Sequence, residues 1–174
     1  MDQLEETVEG EVAVIDEEVT AVVLAVITVI AVIVGVGTFL PSRTSERFSE
    51  LGVLGPNMKI GDYPRELVTG ENFTLYIYIG NHEGHVMYYR VLIKLGNETD
   101  SISEDEPMNA EVLLSRDFIL KSGGNYTKPV TLSIDKPGIN QRLVFELWAY
   151  EPESRMFKYH SRWCQLWLNV TAPA

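Results

Sequence analysis

Two imidazoles and a carboxylate stand together in Asn81-His82-Glu83-Gly84-His85. Zinc takes three or four nitrogen, sulfur or oxygen ligands, so His82, Glu83 and His85 are the first place to look for metal chemistry. A further donor would have to come from His160 or Cys164, far along the chain. The spacing is lax beside real zinc motifs, and Asn-His-Glu-Gly is good turn chemistry in its own right. The run is therefore read as a hairpin turn, and no metal ligand is assigned. Cys164 alternates in step with Leu166 and Leu168, the pattern of a buried, inert thiol. Nucleophilic catalysis needs a Ser or Cys within reach of a His oriented by a third group, and no G-x-S-x-G elbow is present. The carboxylates of GDYP (61–64) and SISEDEP (101–107) are loop acids of the ordinary solvated kind. No Gly-rich phosphate loop leads from a strand into a helix. No catalytic residue, cofactor or small-molecule substrate is assigned, and the chain is not expected to be an enzyme.

The chemistry the sequence does advertise is modification and contact. Asn72-Phe-Thr, Asn97-Glu-Thr, Asn125-Tyr-Thr and Asn169-Val-Thr are all acceptor sequons for N-glycosylation, each with Thr and none interrupted by Pro. Asn97 and Asn125 fall in turn sequences, whereas Asn72 and Asn169 border strands. Tyr76 and Tyr78 alternate against Phe73, Leu75 and Ile77, and Trp163 shares a strand face with Trp167. Tyr and Trp on the outside of a sheet are favoured at protein contacts, so these four are candidate partner-binding residues. Alternation fixes faces without saying which one is buried.

The elements that carry these residues follow from periodicity. Residues 19–40, VTAVVLAVITVIAVIVGVGTFL, contain no charge, Asn, Gln or Pro. As a helix they span roughly 33 Å, enough for a hydrocarbon core of about 30 Å. Val and Ile dominate the stretch and are mediocre helix formers in water, but a lone strand in lipid would leave its backbone unpaired. Ala21, Ala25, Thr28, Ala31, Gly35 and Thr38 share one face of that helix. Small residues on one stripe let a second helix approach closely, so the expected partners are the bilayer and either other membrane subunits or a second copy.

Residues 1–18 carry eight acids and no Lys or Arg, the composition of a solvated tail. That tail lacks the basic start of a secretory signal. Residues 41–52 read as a polar connector. From 53 to 174 the period switches to two: Phe73–Ile79, Val91–Leu95, Leu143–Ala149 and Leu166–Val170 alternate, with turn sequences between them. About seven short strands without helical crossovers predict a mainly β fold, an antiparallel immunoglobulin-like β-sandwich with one N-terminal transmembrane helix. The formal net charge of −11 is concentrated in the tail. Without a basic stripe, nucleic acid is not an expected partner.

The sequons place residues 53–174 outside the cell and the amino terminus in the cytoplasm. Arg43, Arg47 and Lys59 follow the helix and argue the other way by positive-inside counting. The difference is small, so the sequons decide.

Leu54-Gly55-Pro56, Tyr63-Pro64, Gly70-Glu71, Asn81-His82-Glu83 and Leu166-Trp167, set in the surrounding run 47–171, resemble the domain of unknown function 1616 family. The resemblance implies a membrane protein, mostly of archaea, with an extracytoplasmic β-rich domain and no established activity. Members typically carry several membrane helices ahead of the domain, where this chain has one. The function expected is that of a glycosylated, single-pass accessory or structural subunit of a cell-envelope complex. The second reading is a pilin-like filament subunit with its hydrophobic helix in the filament core. An envelope metalloenzyme using His82 and His85 is a distant third.

Overall fold

The computed structural model describes residues 17–39 and 46–173, which fall into two compact units, Met1–Ser45 and Glu46–Ala174. In the first, helix α1 runs Glu17–Phe39, with Glu17 and Glu18 in its first turn, where acids complement the helix dipole. Its apolar side chains are bare: Val22 is 63% and Ile33 66% exposed. Such a surface is unfavourable in water and ordinary in lipid. Most of the acidic tail, residues 1–16, lies outside the described residues, as do Leu40 and residues 41–45.

The second unit has eight strands: β1 Ser49–Leu54, β2 Glu66–Val68, β3 Phe73–Asn81, β4 Met87–Gly96, β5 Glu111–Leu120, β6 Asn125–Leu132, β7 Gly138–Glu151 and β8 Met156–Thr171. They form a three-stranded sheet, β1-β3-β6, and a five-stranded sheet, β2-β8-β7-β4-β5. All pairs are antiparallel except β2 with β8, which run parallel. An all-antiparallel arrangement was expected, and this edge departs from it. β1 also begins inside the stretch 41–52 that the sequence assigned to a connector. Its SELGVL is short and carries Gly52, so alternation alone does not reveal it.

The core lies between the two sheets. Leu75, Ile77 and Ile79 from β3 meet Tyr89, Val91 and Ile93 from β4 and Leu143, Phe145 and Leu147 from β7, all at most 1% exposed. Burying each such side chain contributes roughly 1.5–3 kcal/mol, which makes this face the interior and the Tyr76/Tyr78 face the exterior. The open question of which face is buried is thereby answered.

The turn at 82–86 differs from the expected hairpin. β3 belongs to the three-stranded sheet and β4 to the five-stranded one, so the turn carries the chain from one layer to the other. Asn81, 0% exposed, is its anchor. Its Nδ2 donates to the carbonyls of His85 and Leu120, both at 2.8 Å, and its Oδ1 accepts from the Glu83 N–H at 2.9 Å. The backbone of Asn81 also bonds Gly123 and Gly124, tying in another crossover, from β5 to β6. Gly84 completes the corner at φ +84°, a conformation that suits glycine.

Candidate functional site

The corner delivers Glu83 to a polar cluster at the end of the core. Ser49 opens β1, Tyr89 lies on β4 and His160 on β8. Ser49 Oγ is 2.7 Å from Glu83 Oε1, 2.7 Å from the Tyr89 hydroxyl and 2.9 Å from His160 Nε2. His160 Nε2 is also 3.3 Å from Glu83 Oε1. Serine, histidine and glutamate in contact invite comparison with a hydrolytic triad, and the proton inventory decides against it.

A carboxylate only accepts, so the single Ser49 hydroxyl proton goes to Glu83. The Ser49 lone pairs then accept from Tyr89 and from a proton on His160 Nε2. Burial pushes the Tyr89 hydroxyl pKa up, which keeps it a donor. A general base must present a bare nitrogen to the nucleophile, with the acid on its other nitrogen. Here the facing nitrogen is protonated and the acid shares it. Ser49 is also only 3% exposed. The arrangement is a clasp joining β1, the corner and β8.

A smaller cluster flanks it. Glu50 Oε2 accepts from the Tyr78 hydroxyl at 2.8 Å and lies 3.4 Å from His82 Nε2. His82 stacks on Phe48 at 4.6 Å. The Glu50 carboxylate, bonded to Tyr78, raises that hydroxyl's pKa. The histidines of the NHEGH run thus part company: His82 turns to Glu50, His85 Nδ1 sits 3.1 Å from the Glu83 carbonyl, and the Glu83 carboxylate reaches His160. Among the described residues, no three His, Cys, Asp or Glu side chains gather as a metal cluster would require.

The other residues singled out by sequence scatter. Tyr76 and Tyr78 lie on the outer face of the three-stranded sheet, Trp163 and Trp167 on the outer face of the five-stranded one, so the four cannot form one contact surface. The Arg142 guanidinium lies 5.4 Å from the Trp167 ring centre. Asn72, Asn97 and Asn125 are exposed. Asn169 is committed instead: its Nδ2 donates to Glu66 Oε1 at 2.8 Å and its Oδ1 accepts from the Asn140 N–H at 2.9 Å. Ala21, Ala25, Thr28 and Ala31 are exposed along α1, with Gly35 partly so, and the Thr38 side chain lies outside those described. The Thr28 hydroxyl donates to its own helix, to the Leu24 carbonyl at 2.7 Å. Cys164 packs at the core edge with Sγ 3.5 Å from the Leu51 carbonyl, and desolvation pushes its thiol pKa up.

Sequence reasoning missed a buried ion pair. On the outer face of the five-stranded sheet, Lys94 Nζ and Glu146 Oε2 are 2.9 Å apart, their side chains 8% and 0% exposed. The loop 97–110 closes over them: Lys94 donates to the Met108 carbonyl at 2.6 Å, and the Met108 N–H donates to Glu146 Oε1 at 2.7 Å. Trp148 Nε1 donates to Glu146 Oε2 at 3.0 Å. Burial, then the Glu146 charge, pushes the Tyr159 hydroxyl pKa up to about 12, and that hydroxyl donates to the Ser103 carbonyl of the same loop. Lys94 interrupting an apolar strand was the available signal.

Two largely antiparallel sheets, in a chain that also carries an N-terminal apolar helix, define a β-rich protein of a kind that is consistent with membrane anchoring. Residues 41–169 match the family described as Domain of unknown function (DUF1616), and the chain belongs to that family. No curated protein matches it. Among solved structures it is similar to a β-glucosidase from Listeria innocua at 14% identity and TM-score 0.44, over 71% of this chain and 16% of that one. It thus spans less than a fifth of that enzyme. It is also similar to the CARDB domain of a Pyrococcus furiosus protein in complex with di-metal ions, at 8% identity and TM-score 0.46, over 73% of this chain and 90% of that one. Spo0M, a sporulation control protein of Bacillus subtilis, aligns at 10% identity and TM-score 0.42, over 72% of this chain and 50% of that one.

Proposed function

We propose that this protein is a non-enzymatic, single-pass membrane subunit whose immunoglobulin-like sandwich stands outside the cell and binds other components of an envelope assembly. The observation that carries the reading is the bare apolar surface of α1, joined to a β unit whose core closes without it. Such a helix is covered by lipid on most sides and by a second helix along Ala21, Ala25, Thr28, Ala31 and Gly35. The strand order supports an immunoglobulin-like sandwich, with β2 as an added parallel edge. Exposure of Asn72, Asn97 and Asn125 supports glycosylation there and an external sandwich; Asn169, held by Glu66 and Asn140, is the poorest acceptor. Among the described residues, the Ser49 hydroxyl is engaged by Glu83, Tyr89 and His160, and His82 and His85 diverge.

The test is extraction of membranes in mild detergent, purification of the full chain, and identification of co-purifying subunits, with protease added beforehand to intact cells. Stoichiometric membrane partners and a sandwich digested from outside support the proposal. A chain recovered in the soluble fraction, or a sandwich protected in intact cells, contradicts it. Filaments under negative stain would instead identify a pilin-like subunit.

A further inference from the structure

We propose that a cavity in the β unit seats the first sugar of a glycan carried on Asn97, folding that sugar back onto the protein. The inference rests on the modification of Asn97 proposed above.

The cavity opens where the end of β4, the start of β5 and the entry to β7 meet, and holds about 380 Å³, within the ordinary range for small-ligand sites. Two glycines in its wall leave no room for a side chain. A Cβ on Gly96 would lie 2.6 Å from Asp100 Oδ2, and one on Gly138 would lie 2.5 Å from Gln141 Nε2. Gln141 lines the cavity and is 7% exposed. Its Nε2 donates to the Lys136 carbonyl at 3.0 Å, but its buried Oε1 has no donor among the described residues. A buried carbonyl oxygen without a donor is costly, and a sugar hydroxyl is the kind of donor that satisfies it.

The rest of the lining has the same mixed character. Asp100 is fixed in place: its Oδ2 accepts from the Asn97 N–H at 2.7 Å and its carbonyl accepts from Arg142 Nη1 at 2.6 Å. The exposed Glu111 carboxylate is a further acceptor and Lys136 a donor, while Leu95 and Ala110 are apolar. A few polar groups set among apolar ones match a pyranose, whose hydroxyls exchange hydrogen bonds while its C–H faces pack on hydrocarbon. A metal ion fits the wall poorly, since Lys136 stands in it and no three His, Cys, Asp or Glu side chains gather among the described residues.

Asn97 itself belongs to the wall, which selects the occupant. Thr99 donates to Asn97 Oδ1 twice, from its N–H at 2.8 Å and from its hydroxyl at 2.6 Å. That leaves Nδ2, the atom that carries a glycan, without a hydrogen bond among the described residues. A sugar bonded to Nδ2 begins at the cavity, and the covalent link raises its local concentration there without any new contact. Glu98 Oε1 accepts from Asn140 Nδ2 at 2.6 Å, bracing the turn that bears Asn97 against the start of β7. Ile139, in the cavity wall and 82% exposed, is the apolar side chain that a seated sugar covers. Asn72 and Asn125, the other exposed acceptors, do not line this cavity.

The experiment uses the full chain carrying Cys164→Ser, expressed in a host that modifies Asn-X-Thr sequons and purified in mild detergent, with a single cysteine at Ile139→Cys or Glu98→Cys. Both versions keep Asn97 and Thr99. Asn97→Gln and Thr99→Val remove the acceptor by two different routes and serve as unmodified references. Glycopeptide mass spectrometry first measures occupancy at Asn97, and maleimide alkylation rates are then compared. Seating slows alkylation of Ile139→Cys several-fold relative to both references and leaves Glu98→Cys, beside the glycan but outside the cavity wall, little changed. Slowing at Glu98→Cys as large as that at Ile139→Cys is crowding by a glycan in solvent and overturns seating. An Ile139→Cys rate equal to that of the references overturns it as well, and in both cases the modification stands. A bare Asn97 means that the modification itself has failed, and the inference falls with it.

Discussion

Glu146 is the side chain on which the most local structure converges. Its carboxylate meets Lys94, the Met108 N–H and the Trp148 indole. Removing one member of a buried pair strands the other, at a cost of about 3–5 kcal/mol, whereas replacing both by apolar groups of similar volume is often neutral. Glu146→Ala is therefore expected to lower the urea midpoint sharply, and Lys94→Met with Glu146→Leu to restore most of it. Loop protection in hydrogen exchange should follow the same order. Asp117 behaves differently because it is exposed. Arg90, bonded at 2.7 Å through both Nε and Nη2, holds its carboxyl pKa below the usual value. A depressed folded pKa gives stability that is present above the unfolded pKa and fades as pH falls through the folded one. Asp117→Asn should remove that acid-limb dependence while costing only about 0–1 kcal/mol at neutral pH, since the pair is solvent-screened. Urea titrations at several pH values would read both effects. The Ser49 clasp could not be foreseen at this scale: its members are 34, 40 and 111 positions from Ser49. Glu83 stood out in the sequence only as a neighbour of two histidines, and its partners come from other strands.

Among the elements, the strongly alternating strands were legible and the edges were not. β3, β4, β7 and the later half of β8 bury one face fully, so their period of two is written in Val, Leu, Ile and Phe. β1 and β2 are short. β6, NYTKPVTL, has its first five residues exposed, which erases the contrast that alternation depends on. The crossover at 82–86 was misread as a hairpin because turn residues mark a reversal of direction without saying which strand follows alongside. The small-residue stripe of α1 was readable, but one of its members changes meaning in three dimensions. Thr28 already satisfies its hydroxyl on Leu24, so it contributes shape more than a hydrogen bond to any neighbouring helix. Ala25→Leu should accordingly reduce co-purification of membrane partners, while Thr28→Val leaves it unchanged. Quantitative mass spectrometry of the detergent extract distinguishes the two.

For the molecule as a whole, the exposed acceptor asparagines fall at both ends of the β unit and in different backbone settings. Asn125 lies in the β6 ladder opposite Gly80, next to the backbone bonds of Gly123 and Gly124 to Asn81, whereas Asn72 and Asn97 stand outside the strands at the opposite end. Site-resolved glycopeptide analysis is expected to find occupancy at Asn72 and Asn97 well above that at Asn125. The parallel pairing of β2 with β8 has a mechanical consequence. A pull applied between the anchor and the carboxy-terminal strand enters the sandwich at Ser49 and leaves at Thr171, at opposite ends of the body. β2 and β8 then slide along each other instead of unzipping, and the hydrogen bonds of Glu66–Val68 against Asn169–Thr171 must break together, as stitches across a seam loaded lengthwise.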